Sequence, residues 1–160
     1  MNYIIRKDNH FGFHLPRLQY NLKKLNFNVL FDKNCEYHLG DNDQYDINKL
    51  YGISWGLHHK NSFRIGWTYD ELEHAIKLFL YTYNNSVRSW DYLCTIPLEY
   101  KLKFNITFTR ENNIIVIKWL DKTEIIYFEF PEKKWGYYLW PYFGGNKKAP
   151  HNITIKLQQL

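Results

Sequence analysis

Ten residues set the strongest constraint on what this chain can fold into. Between positions 100 and 109, Tyr100, Leu102, Phe104, Ile106 and Phe108 alternate with Lys101, Lys103, Asn105, Thr107 and Thr109. A period of two sends successive side chains to opposite faces, so the segment reads as a strand with one buried and one wet face. Arg110-Glu111-Asn112-Asn113 then reads as a turn, 114–119 as a second strand, Leu120-Asp121-Lys122 as a turn and 123–130 as a third strand. Strands joined by short polar turns form an antiparallel meander.

The same grammar runs upstream. A strand is predicted at 26–31 before the turn Asp32-Lys33-Asn34, a hairpin from 50–58 and 62–69 around His59-Lys60-Asn61, and another from 75–83 and 87–96 around Asn84-Asn85-Ser86. Residues 70–80 also suit a helix capped by Asp70. The alternation of Phe79, Tyr81 and Tyr83 with Leu78, Leu80 and Thr82 favours a strand from about residue 75, which confines any helix to 70–75. The aromatic run 135–143 is broken by Pro141, which suits a bulge or an edge where no ladder donor is needed. A Gly144-Gly145-Asn146 turn and a final strand at 151–157 close the chain. The first 25 residues are less regular and are expected to form an arm or an edge segment, with the sandwich domain at 26–160. Only two alanines occur against 31 aromatic residues (6 Trp, 14 Tyr and 11 Phe), which disfavours a helical bundle. Ten to twelve short strands in one 160-residue domain predict an all-β antiparallel sandwich or barrel.

Bulk properties exclude several functions. No apolar stretch is long enough to span a membrane as a helix, and the N-terminus lacks the apolar core and small-residue cleavage site of a secretory signal. The expected location is therefore cytoplasmic or virion-associated, with Cys35 and Cys94 as two reduced, partly buried thiols. Net charge is +5, but the basic residues are dispersed among acidic ones, so a solvated surface is favoured over a nucleic-acid groove. No GxSxG, Walker or dinucleotide motif is present, and no cofactor is expected.

Several stretches together resemble a known group: Phe31-Asp32-Lys33-Asn34-Cys35-Glu36-Tyr37, the run from Asp46 to Gly56, the run from His58 to Trp67, and Tyr137-Tyr138-Leu139-Trp140-Pro141-Tyr142-Phe143-Gly144-Gly145-Asn146 with Ala149 to Ile155. They resemble small uncharacterised proteins of gut Bacteroidota and their phages that look like concanavalin A-like jelly rolls. The resemblance covers roughly 26–158. It implies two antiparallel sheets, one of them concave, with loops at the rim. Lectins, glycan-binding modules and polysaccharide-cleaving enzymes share that architecture, so the fold alone does not choose among them.

The densest polar cluster is His58-His59-Lys60-Asn61-Ser62-Phe63-Arg64. Strand parity puts Ser54, Gly56 and His58 on one face beside Ser62, Arg64 and Gly66, with Leu57, Phe63, Ile65 and Trp67 in the core. A three-residue loop would set His58 opposite Ser62, with Arg64 on the same open face. Gly56 and Gly66 would leave a trough in which His58 and Arg64 donate hydrogen bonds to hydroxyls or a carboxylate. Asn61 in the turn and Asn146 at the rim join the candidate ligand-binding set. Trp140 and Tyr142 join it as rings that could stack on sugars, with core packing as the alternative for each. The alternative for the whole cluster is a structural hairpin.

No metal site is expected. His58 and His59 point to opposite faces of a regular strand, and Asp41-Asn42-Asp43 with Asp46 suits a turn as well as a calcium loop. Glu71 and Glu73 are a thin basis for a glycosidase pair. A lyase arrangement would use His58, Arg64 and Tyr137 or Tyr138. The leading expectation is thus a non-catalytic carbohydrate-binding or adhesion module. The alternatives are a phage virion component, with a virion protein or a second copy as partner, and thirdly a polysaccharide lyase or hydrolase. Neither nucleic acid nor membrane is an expected partner.

Overall fold

A computed structural model describes all 160 residues. It contains twelve strands, three short 3-10 turns and no α-helix. The strands are β1 (Asn2–Ile5), β2 (Leu18–Tyr20), β3 (Lys24–Phe31), β4 (Asn48–Ser54), β5 (Ser62–Asp70), β6 (Ala75–Asn84), β7 (Val87–Pro97), β8 (Leu102–Thr109), β9 (Ile114–Trp119), β10 (Lys122–Tyr127), β11 (Trp135–Leu139) and β12 (Ile153–Gln159). They form two six-stranded antiparallel sheets, ordered β1-β12-β3-β8-β9-β10 and β2-β11-β4-β5-β6-β7.

The meander forms as its alternation requires. Leu102, Phe104, Ile106 and Phe108 of β8 are buried while Lys103 is exposed, and β9 returns with Ile115, Ile117 and Trp119 inside. Tyr100 lies outside the strand and is exposed, because the chain turns at Glu99, whose φ is +62°. The third strand ends at Tyr127, and Phe128 dips into the core as a loop residue. On the second sheet Phe63, Ile65 and Trp67 of β5 face the same interior. Burying these side chains between the sheets, about 1.5–3 kcal/mol each, is what holds the layers together.

The first 25 residues supply the outermost strand of each sheet at that edge. β1 pairs with β12, putting Tyr3 and Ile5 in the core, and β2 pairs with β11. No helix forms at 70–75. Asp70 Oδ1 accepts from the backbone N–H of Leu72 and Glu73, which closes a tight turn, and His74 takes a φ of +49° so that β6 can start at Ala75. Cys35 and Cys94 are both buried and unpaired with each other.

The β4–β5 connection differs from the expectation. β4 stops at Ser54, and Ser54 rather than His58 stands opposite Ser62. Gly56 takes a left-handed φ of +87°, and the chain makes one tight turn closed by Asn61 N donating to Leu57 O at 3.1 Å. Leu57 is therefore 77% exposed instead of in the core. Trp55 is the last inward residue before the turn and packs on Phe108, Phe128 and Phe130.

Candidate functional site

The outer face of the second sheet carries the site, and register determines which side chains meet there. Arg64 on β5 stands opposite Gly52 on β4 and Tyr81 on β6. Tyr83 stands opposite Ser62 and Arg88, and Tyr81 opposite Trp90 of β7. Lys49 exchanges both backbone hydrogen bonds with Tyr142, each 2.8 Å, which brings Tyr142 onto the same face. Between them runs a groove with two halves of about 600 and about 300 Å³ that share Lys49, Tyr81, Arg88 and Gly145.

One wall is the turn at 144–146. Asn48 is buried in β4, where its Nδ2 donates to the Tyr37 hydroxyl and its Oδ1 accepts from Gly144 N. Gly144 takes a φ of +73°, and a Cβ there would sit 2.1 Å from Lys147 O, so only glycine makes this turn. Lys49 Nζ donates to Gly144 O at 3.3 Å and lies 5.3 Å from the centre of the Tyr81 ring. The opposite wall is the turn carrying His58 and His59, whose rings are 4.2 Å apart, with His59 meeting the Tyr83 ring edge-on at 5.1 Å.

Room for Arg64 comes from Gly52. A Cβ at position 52 would lie 1.9 Å from Phe63 O and 2.9 Å from Arg64 Cγ. Its absence lets the arginine lie over the sheet, in the half of the groove that Tyr81, Tyr83 and Tyr142 also line. Burial pulls Arg64 down to about 10, although Tyr81, Tyr137, Tyr83 and Tyr142 oppose the shift. Burial, with the Arg64 charge second, lowers Lys49 to about 8. His58 is lowered by burial, then by Arg64 and by His59.

The expected site residues divide into two groups. His58, Arg64 and Tyr142 line one half of the groove and Asn146 lines the other. His58 arrives there from a turn at the rim rather than from a strand. Ser62 and Asn61 are buried, and their side chains hold the turn together. Ser62 Oγ donates to His58 O at 2.6 Å, and Asn61 Oδ1 accepts from Asn85 N at 3.1 Å. Trp140 faces away from the groove, stacked on Tyr3 with ring centres 6.3 Å apart and tilted against Tyr51 at 5.3 Å. It shares the core side with Tyr138, whereas the irregularity around Pro141 returns Tyr142 to the outer face. Neither expected trough glycine opens the groove. Gly66 is covered by Ile47, 2.4 Å from where a Cβ would be, and Gly56 lies in the turn.

The other sequence-stretch candidates have partners of their own. Lys147 pairs with Asp41 at 3.1 Å and with Asp43 at 3.8 Å. Glu71 pairs with His38, and Glu73 with Lys77. Lys49, Tyr81, Tyr83, Arg88 and Trp90 were absent from the sequence-based set. The signals for them were a lysine interrupting an apolar strand and the shared parity of Phe79, Tyr81 and Tyr83.

No family model matches this chain, and no curated protein matches it significantly. Solved structures do. A functionally unknown protein from Saccharomyces cerevisiae aligns over 98% of this chain and 82% of its own length, with TM-score 0.55 and 10% identity. Alginate lyase A1-II′, a member of polysaccharide lyase family 7, aligns over 99% and 79%, with TM-score 0.54 and 6% identity. The polysaccharide lyase family 18 protein aly-SJ02 aligns over 99% and 88%, with TM-score 0.52 and 6% identity. At such identities the likeness speaks for architecture alone, and that architecture is the two-sheet, concanavalin A-like jelly roll.

Proposed function

We propose that the protein binds carbohydrate in the groove on the outer face of the second sheet. The observation that carries this reading is the lining itself. Tyr83, Tyr142 and Trp90 present aromatic rings, with Tyr81 buried beneath Lys49, beside the donors of Lys49, Arg64 and His58, along an open groove instead of a closed cavity. Sugars have apolar faces that stack on such rings and hydroxyls that take such donors. Trp90 and Tyr92 extend the lining outward as exposed rings packed edge-on against Phe79. The shared architecture with polysaccharide lyases fits this reading.

A glycan array probed with the purified protein tests it. Binding to at least one glycan class is expected, weakened by Trp90→Ala and by Tyr83→Ala in folded protein. Binding to no class overturns it. A second reading, eliminative cleavage of the bound sugar, is favoured by the place of His58 at the rim of the half that holds Arg64, where burial and then the Arg64 charge disfavour its protonated form. New ultraviolet absorbance from an unsaturated uronide, lost in His58→Gln, is the expected sign. A flat trace with bound uronate polymer dismisses cleavage and leaves binding.

A further inference from the structure

Four of the molecule's cations are half-buried: Lys49, Arg64, Lys77 and Arg110. Lys77 sits against Asp70 and Glu73. Arg110, also half-buried, donates to the carbonyls of Pro131 and Lys133. Lys49, Arg64 and Arg88 take part in none of the eight ion pairs. The half of the groove that contains all three is lined by tyrosines, histidines and glycines and by no carboxylate. Asp46, in the other half, is the one acidic group whose charge reaches Lys49, and the two form no ion pair. Asp70 in that half is occupied by Lys77.

Holding Lys49 and Arg64 half-buried without counter-charge, with the exposed Arg88 beside them, costs stability. Such an arrangement is maintained where a ligand supplies the missing charge. A guanidinium also matches a planar carboxylate or a sulfate through paired hydrogen bonds. The three cations come from β4, β5 and β7 and line the same half of the groove, which continues past Lys49, Tyr81 and Arg88 into the larger half. A chain bearing repeated anionic units follows such an open groove and meets more than one cation.

Resting on the carbohydrate reading, we infer that the groove is selective for an anionic polysaccharide, with Arg64 and Lys49 holding one acidic group and Arg88 a second farther along the chain. The Tyr83 ring, which lines the same half of the groove, stacks on a sugar of that chain. The shared ligand chemistry is an acidic group on a sugar ring, supplied either by a uronate carboxylate or by a sulfate ester.

Calorimetry with the full chain separates the outcomes. The probes are an oligouronate, the same oligomer with its carboxyls reduced to alcohols, a sulfated galactan oligomer and a single-stranded oligonucleotide of equal charge. Tight binding of the oligouronate or the sulfated oligomer is expected, and whichever binds better identifies the anion. At least tenfold weaker binding of the reduced oligomer is expected, with affinity that falls as salt is raised. In folded protein, Arg64→Gln and Arg88→Gln should each lower affinity about tenfold, while Lys101→Gln, outside the groove, leaves it unchanged. Equal binding of the oligouronate and its reduced form overturns the anionic selectivity and leaves carbohydrate binding standing. Binding of none of the sugars overturns both. Tighter binding of the oligonucleotide overturns the choice of polysaccharide. The comparison of reduced and acidic oligomers needs no variant, so it decides the matter even if Arg64→Gln fails to fold.

Discussion

The two sheets bury the same kind of inner face but present opposite outer faces. On the first, β8 alternates strictly, and its outer side chains form a cross-strand ladder of Asn26, Asn105 and Lys118 that water solvates. On the second, β5 is covered on both sides, with Phe63, Ile65 and Trp67 inside and Ser62, Gly66 and Thr68 also buried outside. Ile47, the turn at 144–146 and the tyrosines of β6 provide that second cover, and Arg64 lies in the gap they leave. The two outer faces thus differ in two ways: burial loses its alternation on β5, and the half-buried Arg64 and Lys49 stand there without a carboxylate partner.

Several substitutions should break or sharpen this contrast. The largest effect belongs to the interior that both sheets share. Phe104→Ala is expected to cost about 3–5 kcal/mol in denaturant unfolding, the range for truncating a buried aromatic side chain. Arg64→Gln should divide function from stability. Ligand affinity falls about tenfold, or about 1.4 kcal/mol, as for a lost hydrogen bond to a charged group. The unliganded protein keeps or gains thermal stability, because an uncompensated charge leaves the groove. A fall in melting temperature would show that Arg64 is held by structure and not for a ligand.

Gly52→Ala should cost about 1–3 kcal/mol, since its Cβ would overlap Phe63 O and Arg64 Cγ and push β4 from β5. The same substitution should lower glycan affinity by displacing Arg64. Lys49 contributes a pH signature. Burial lowers its amine to about 8 in the folded chain, against the ordinary lysine value of 10.5 when unfolded. Between these values the unfolded state holds the proton and the native state does not, so this group's contribution to stability rises as pH is raised through that window. Lys49→Met should flatten that part of the unfolding profile relative to the unsubstituted protein. The smallest effect is the control on the first sheet: Asn105→Ala, on the solvated ladder, should change stability by no more than about 0.5 kcal/mol.

How much of this was readable in advance depended on the range of the interaction. The meander, the β6–β7 hairpin and the inward faces of Phe63, Ile65 and Trp67 followed from local periodicity, because a strand that buries one face must alternate. The same parity put Arg64 on the opposite face from that core. It failed where the chain left the strand. Continuing β4 to His58 ignored the left-handed Gly56 and the turn closed by Asn61 on Leu57, so the loop came out as three residues instead of spanning 55–61. It failed again at Trp140, where Pro141 interrupts the ladder and separates the facing of Trp140 from that of Tyr142.

Local periodicity sufficed for the meander, for the inward faces of β5 and β8 and for an aromatic interior, since those depend on side chains two residues apart, but not for β1, β2 or the end of β4. Only the tertiary structure decided that Lys49, Arg64, Tyr81 and Arg88 share one groove. These residues come from four strands, and their meeting depends on strand order and register, which long-range pairing sets. The wall that closes the groove was decided in the same way, because Asn48 reaches across to Gly144, 96 residues later, and only a packed sheet brings that donor and acceptor together.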